Sequence, residues 1–164
     1  MVKTMSKCFY PGSFDPFTKG HLEIVKKASA LFNVVYIGIG YNPDKKRHYD
    51  AEKMKAAIEE ICSFWNLSNV KVIIFNNLTA DVAKSLGVQY IVRGIRDNID
   101  YNYEESLAKI NFELTNGIDT LYLRASIFGF VSSSFVRELI KYDKNYVDYV
   151  PGPVYRLIKE DKHE

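Results

Sequence analysis

Five short, nearly unbroken apolar runs, separated by stretches of helical period, constrain this chain more than any other feature. The runs Lys7-Cys-Phe-Tyr10, Val34-Val-Tyr-Ile-Gly-Ile39, Val70-Lys-Val-Ile-Ile-Phe75, Val88-Gln-Tyr-Ile-Val92 and Thr120-Leu-Tyr-Leu123 read as strands. Continuous rather than alternating apolar character is the mark of strands covered on both faces, as in a parallel sheet. Between them, Ile24, Val25, Ala28, Leu31 and Phe32 form one helical stripe, and Met54, Ala57, Ile58, Ile61 and Trp65 form another. Both suit packing onto a sheet. Residues 79–86 predict a shorter helix closed by Gly87, and Tyr103, Leu107, Ile110 and Leu114 mark a longer one ending near Gly117. Residues 135–142 and 154–162 predict two C-terminal helices, with Pro151 and Pro153 breaking the chain between them. The strand-helix repeat predicts an α/β fold, a doubly wound five-stranded parallel sheet with C-terminal helices.

At 164 residues the chain suits one core and one domain, spanning residues 1–164. Hydrophobic content of 47% beside 26% charged residues is the mixture of a soluble globular protein. No apolar run approaches the roughly 20 residues that cross a bilayer, so no membrane partner is expected. The start Met1-Val-Lys-Thr-Met-Ser-Lys7 lacks the apolar segment of a secretory signal, which makes a cytoplasmic location the expectation. A net charge of +2 does not create the basic field of a dedicated nucleic-acid binder. Cys8 and Cys62 lie far apart without spaced Cys or His neighbours, and read as buried structural thiols rather than a metal site or disulfide.

In an open parallel sheet, ligands bind beyond the carboxyl ends of the strands, where strand order reverses. Polar segments follow four of the five runs. After the first comes Gly12-Ser-Phe-Asp-Pro-Phe-Thr-Lys-Gly-His21. Gly12 and Gly20 permit close backbone approach, Asp15-Pro16 encodes a turn, and Thr18 can cap a helix beginning near Gly20, whose free N–H groups attract an anion. His21 then falls in the first helical turn. The same residues can also form no more than a tight strand-helix connection. Lys45-Lys46-Arg47 after the second run reads either as a solvated charge cluster or as a source of one functional cation. Arg93-Gly94-Ile95-Arg96 places two guanidinium forks and a small residue where the fourth run emerges, a pattern suited to phosphate. Glu104 shares a polar stripe with Asn111 on the long helix, and Ser132-Ser133-Ser134 can cap a helix and bind a ligand together.

The string Tyr10-Pro-Gly-Ser-Phe-Asp-Pro16 followed by Thr18-Lys-Gly-His21 resembles the H-x-G-H signature of the nucleotidyltransferase superfamily, with Thr18 in place of the first histidine. Within that superfamily it is similar to the bacterial-type phosphopantetheine adenylyltransferases, and the match runs in register from Tyr10 to the C-terminal helices. Phe128-Gly-Phe-Val-Ser-Ser-Ser134 stands where the family has W-x-x-I-S-S-S, so Phe128 replaces the commoner tryptophan and Val131 the isoleucine.

The resemblance implies a Rossmann-like nucleotidyltransferase fold with strand order 3-2-1-4-5. It implies adenylyl transfer from ATP to 4'-phosphopantetheine, giving dephospho-coenzyme A and pyrophosphate, with Mg2+ on the nucleotide and commonly a homohexamer. By resemblance His21 and Lys45 are catalytic. ATP contacts fall on Ser13, Phe14, His21, Gly94, Ile95, Arg96, Glu104, Phe128, Gly129, Phe130, Val131, Ser132, Ser133 and Ser134. Phosphopantetheine contacts fall on Ser13, Lys45, Thr79 and Arg93, and Arg137 is a further phosphate candidate. No residue is assigned as a metal ligand. Because the acceptor is a phosphate monoester with a second pKa near 6, it needs no general base, and direct in-line attack without a covalent intermediate is expected. The alternatives are another small-molecule nucleotidyltransferase, acting on nicotinamide mononucleotide or a polyol phosphate, and a catalytically silent nucleotide-binding regulatory domain.

Overall fold

Strand β1 (Lys7–Gly12) forms the centre of a five-stranded, all-parallel sheet in the order β3-β2-β1-β4-β5. In this computed structural model, which describes residues 5–162, the other elements are α1 (Lys19–Leu31), β2 (Val34–Gly40), α2 (Ala51–Phe64), β3 (Val70–Phe75), α3 (Thr79–Leu86), β4 (Tyr90–Gly94), α4 (Asn98–Thr115), β5 (Asp119–Leu123), α5 (Ser133–Lys141) and α6 (Gly152–Asp161), with a 3-10 turn at Val147–Tyr149. The Met1–Thr4 part of the N-terminal segment considered above lies outside the described residues. No helix among those residues is long and apolar enough to cross a membrane.

The order reverses at β1, and the two sides of that strand are unequal. Against β2 it is paired from Lys7↔Val34 to Gly12↔Ile39, whereas against β4 only Cys8↔Tyr90 and Phe9↔Ile91 are in register. Pro11 has no N–H to offer a ladder. Beyond Phe9, β1 and β4 therefore part, and a crevice opens at the carboxyl end of the sheet.

One face of the sheet is covered by α1, α2 and α6, with Val25, Ala28, Met54, Ile58, Val154 and Ile158 fully buried. The other carries a smaller core of Phe9, Val82, Ala83, Val88 and Ile91 beneath α3. Cys8 and Cys62 are free and buried, and burial pushes their thiols up to about 12 and about 11.

The expected order of strands and helices is present, with strand boundaries displaced. β1 runs on to Gly12, and β4 begins at Tyr90, leaving Val88 as a buried connector. Leu31 and Trp65, placed above in apolar stripes, are exposed. The largest departure is α4, where Tyr103, Ile110 and Leu114 face outward while Glu104, Ala108 and Thr115 are buried. Periodicity identifies an apolar row but not the side it faces. Here the inward row can be polar because Thr115 bonds back to the Asn111 carbonyl and Glu104 meets a guanidinium.

Gly38 is required by packing on the sheet. A Cβ there would lie 2.3 Å from Cε2 of Phe9, whose ring crosses the strand to meet Phe75 edge-on with centroids 5.4 Å apart. Gly38→Ala is expected to destabilise the protein by about 1–3 kcal/mol through overpacking. Chemical denaturation measures this, and an unchanged midpoint would refute the packing argument.

Candidate active site

Three loops are stitched together at the crevice. Asp15, in the loop after β1, is buried; its Oδ2 accepts from the His48 N–H and its Oδ1 from the Tyr49 N–H, each at 2.9 Å. Arg47 pairs with the same carboxylate at 3.7 Å and donates to the carbonyls of Gly40 and Tyr49. From the other side, Ser133 Oγ donates to the Pro16 carbonyl at 2.7 Å and Arg137 to the Asp15 carbonyl at 2.6 Å. Glu23 of α1 accepts from the backbone N–H groups of Ser126, Ile127 and Phe128. A Cβ on Gly20 would sit 2.7 Å from the Phe128 carbonyl oxygen, so the start of α1 presses against that loop.

The helix start itself is a reciprocal cap. Thr18 Oγ1 accepts from the His21 N–H at 3.3 Å, and His21 Nδ1 accepts from the Thr18 N–H at 3.0 Å. Acceptance at Nδ1 assigns the ring proton to Nε2, which is left as a donor for a ligand. Phe14 and Phe17 flank the imidazole, with centroids 5.0 and 5.5 Å away. Burial, then the positive charges of Arg93 and Arg96, hold its pKa down to about 3. The ring is neutral at pH 7.

Around this helix start lies a chamber of about 210 Å³, whose walls include Ser13, Phe14, His21, Gly94, Ile95 and Arg96. Its far side is Phe128, Gly129, Val131, Ser132 and Ser133. A second chamber of about 250 Å³ lies between α3 and α4, lined by Phe75, Thr79, Leu107, Asn111 and Thr120. Pro11, Gly12, Arg93 and Glu104 belong to both. Arg93 is their partition: Nε and Nη2 reach the two oxygens of Glu104 at 2.8 and 2.7 Å, and Nη1 donates to the Pro11 carbonyl across the gap where β1 and β4 part. Burial opposes the charge on Arg93, but its hydrogen bonds and Coulomb attraction to Glu104 raise its pKa overall. Arg96 pairs with Asp100, one helical turn on, and stays half-exposed on the wall of this first chamber.

Most of the residues singled out in the sequence therefore converge. Thr79 enters the second chamber only. Four of the site candidates do not line either one. Lys45 is exposed on the loop after β2, Phe130 is exposed with its ring against Phe135 and Tyr149, and Ser134 and Arg137 line a separate depression with His48. Geometry gives two side chains partners that spacing does not show. Glu104 does not offer a free carboxylate to the crevice, because Arg93 occupies both oxygens. Arg47 is not a solvated surface cation, since its side chain is 9% exposed and braces the loops. Ser132 caps α5 by accepting from the Phe135 N–H, as expected, and also lines the chamber.

Asp15, Glu23 and Asp100 were not among the sequence candidates. Asp15 reads only as a turn former and no spacing signal ties Glu23 to groups about 100 residues away, whereas the i,i+4 spacing of Arg96 and Asp100 is a signal that could have found the third. Among the described residues no cluster of three His, Cys, Asp or Glu side chains could hold a metal, and both carboxylates of the first chamber are engaged by arginines.

A parallel sheet whose order reverses over two chambers with a shared wall, with a capped helix start, a neutral histidine donor and two arginines, suits an anionic ligand, and the relatives of the chain make it a nucleotidyltransferase. The cytidylyltransferase-like family model matches residues 9–139. A phosphopantetheine adenylyltransferase from Campylobacter jejuni is 38% identical over 154 residues, covering 93% of this chain and 96% of the relative. One from Streptococcus pneumoniae is 39% identical over 157 residues, covering 94% and 96%. Among solved structures, a Plasmodium falciparum nicotinic acid mononucleotide adenylyltransferase superposes with a TM-score of 0.66 at 19% identity, covering 96% of each chain, and shares the fold. The chain belongs to the cytidylyltransferase-like family and, within it, to the phosphopantetheine adenylyltransferases.

The depressed pKa of His21 has a signed consequence for folding. Its value is lowered from 6.5 to about 3, so between those limits the unfolded chain binds the proton that the folded chain refuses. Stability of the ligand-free protein should therefore fall as pH drops below 6.5, by up to about 1.4 kcal/mol per unit. His21→Gln should flatten that limb above pH 5, where carboxylates contribute little. Urea denaturation at a series of pH values compares the two, and parallel profiles would count against a buried neutral imidazole.

Proposed function

We propose that this protein transfers the adenylyl group of ATP to 4'-phosphopantetheine, forming dephospho-coenzyme A and releasing pyrophosphate. The observation that carries the reading is the meeting of two chambers at Arg93, beside His21 and the start of α1. Relatives named for this activity match nearly the whole chain. ATP occupies the first chamber with its α-phosphate at the helix start, where free N–H groups and the dipole favour an anion. The acceptor places its phosphate at the Arg93 partition and its arm in the second chamber.

The acceptor phosphate is largely dianionic at neutral pH and is itself the nucleophile. One of its oxygens forms a bond to the α-phosphorus as the bond to the β-phosphate oxygen breaks, and pyrophosphate leaves with that electron pair. No side chain needs to take a proton. The site's work is to bring two anions together and to stabilise added negative charge on the transferring group. His21 serves as a neutral Nε2–H donor toward an oxygen of that group, and Arg96 offsets charge on the nucleotide. Glu104 acts through Arg93, holding its guanidinium plane across both chambers. Lys45 is assigned as the further cation by family resemblance, from an exposed loop that Arg47 and Asp15 brace at its end.

Magnesium carried in with the nucleotide would supply charge neutralisation, and no side chain is assigned to hold it, since Asp100 and Glu104 are engaged by arginines. The exposed apolar side chains of α4, among them Ile99, Tyr103, Ile110 and Leu114, favour a homo-oligomer, and the family resemblance assigns it as a homohexamer. A cytoplasmic setting accords with the two free thiols. Sedimentation checks the assembly.

Pyrophosphate release from ATP and magnesium, measured with 4'-phosphopantetheine, nicotinamide mononucleotide and a polyol phosphate in parallel, tests the assignment. Selective release with the first is expected. Selectivity for another acceptor moves the activity within the superfamily, and silence from folded, ATP-binding protein supports a regulatory domain. His21→Ala should lower kcat by about 100-fold or more, with the KM for ATP changed only a few-fold. In the same assay Lys45→Ala should impair acceptor use more than Lys46→Ala, and equal, negligible effects would return Lys45 to the solvated surface.

A further inference from the structure

Between β5 and α5, residues 124–132 have no regular secondary structure, yet Ala125, Phe128 and Gly129 form one side of the first chamber. Such a segment keeps a defined shape only when groups outside it bind its backbone. Here those groups come from α1. Glu23 Oε2 accepts from the Ser126 N–H at 2.6 Å, and Oε1 accepts from the Ile127 and Phe128 N–H groups at 3.0 and 2.6 Å. One turn on, Lys27 Nζ donates to the Arg124 carbonyl and to Ser126 Oγ, the latter at 3.0 Å.

Gly20, Glu23 and Lys27 recur at helical spacing on one side of α1. The close approach of Gly20 to the Phe128 carbonyl and the three N–H bonds to Glu23 together fix the spacing between the loop and the helix start beside His21. Gly129 makes the loop turn tightly, since a Cβ there would lie 2.8 Å from the Ala125 carbonyl oxygen. Burial opposes the charge on Glu23, but the N–H groups of Phe128, Ile127 and Ser126, and then Lys27, outweigh it and lower its pKa overall. Its bonds to the loop are therefore charge-assisted. Glu23 itself lies in a groove outside the loop, with Lys26 and Pro153, and not on the chamber wall. It reaches the chamber only through the backbone it holds.

We infer that Glu23, assisted by Lys27, is a positioning residue for the nucleotide: it holds the 125–129 wall of the first chamber at the spacing from α1 that ATP requires, without touching ATP. This rests on the reading that places ATP in the first chamber. The mark of such a role is selectivity between the two substrates. The hydrogen bonds of Glu23 and Lys27 to the loop all fall on residues 124–128, away from the Arg93 partition and the second chamber. Their loss should therefore be felt by the nucleotide and not by the acceptor.

Calorimetric titration with ATP and, separately, with 4'-phosphopantetheine, beside hydrogen exchange of the loop amides, tests this in Glu23→Gln and Lys27→Met. Glutamine keeps the length and helix propensity but presents an amide NH2 where the loop presents N–H groups; methionine keeps the bulk and removes the ammonium. Glu23→Gln should weaken ATP binding by about five-fold or more, with 4'-phosphopantetheine affinity within about two-fold. The amides of residues 126–128 should exchange faster in the ligand-free variant and regain protection when ATP saturates it. Lys27→Met should shift ATP affinity in the same direction and by less. Unchanged ATP affinity in Glu23→Gln, or an equal loss for both ligands, overturns the positioning role. Should Glu23→Gln fail to fold, Lys27→Met decides: a selective loss of ATP affinity supports the role, and none overturns it. ATP binding to the unaltered protein without transfer to 4'-phosphopantetheine overturns the adenylyl-transfer reading and leaves the ATP titrations and loop exchange to decide the role of Glu23; absence of ATP binding overturns both.

Discussion

The parting of β1 from β4 after two paired residues is the constraint on which the site depends. Had the ladder continued, the backbone of residues 10–12 would be paired to β4 and no crevice could open at the reversal of strand order. Arg93 bridges the resulting gap, bound to the Pro11 carbonyl on one side and to Glu104 on the other. A buried guanidinium is tolerable only when charge and hydrogen-bonding capacity are met together, and the forked pair with Glu104 does both. That need draws the carboxylate of α4 inward and turns the helix's apolar row to the outside.

The surrounding loops are held by carboxylates as well, here accepting from backbone N–H groups. Asp15 gathers backbone N–H groups from the segment after β2, and Glu23 gathers them from the loop after β5. Each carboxylate satisfies donors in segments that lack regular secondary structure. Buried polar groups so paired hold the loops in position around α1. His21 stands at the centre of this frame and is kept neutral by burial and neighbouring cations, a state that suits the oriented donor proposed for it rather than a proton shuttle.

The strand-helix order and the polar segments at the strand ends were readable because they depend on local pattern. Apolar continuity marks covered strands, and Gly, Asp, Pro and Thr mark a turn and a cap whatever surrounds them. The cap came out as read, with Thr18 at its head and His21 in the first turn. The tasks of Glu104, Arg47 and Asp15 were not readable, since each depends on a partner from another element. Arg47 looks the same in sequence whether it is solvated beside Lys46 or buried against Asp15; only the closure of residues 15 and 47–49 onto each other distinguishes the two.

By itself, the sequence determined the alternation that makes a parallel sheet, the helix start able to receive an anion, and the set of side chains offered at the carboxyl ends of the strands. Tertiary structure decided which of them share a wall. It divided the crevice into two chambers at Arg93 and turned α4 so that a carboxylate faces inward. The physical reason is range: periodicity and turn chemistry act over a few residues, whereas charge pairing, desolvation and the parting of strands are settled only when distant segments meet.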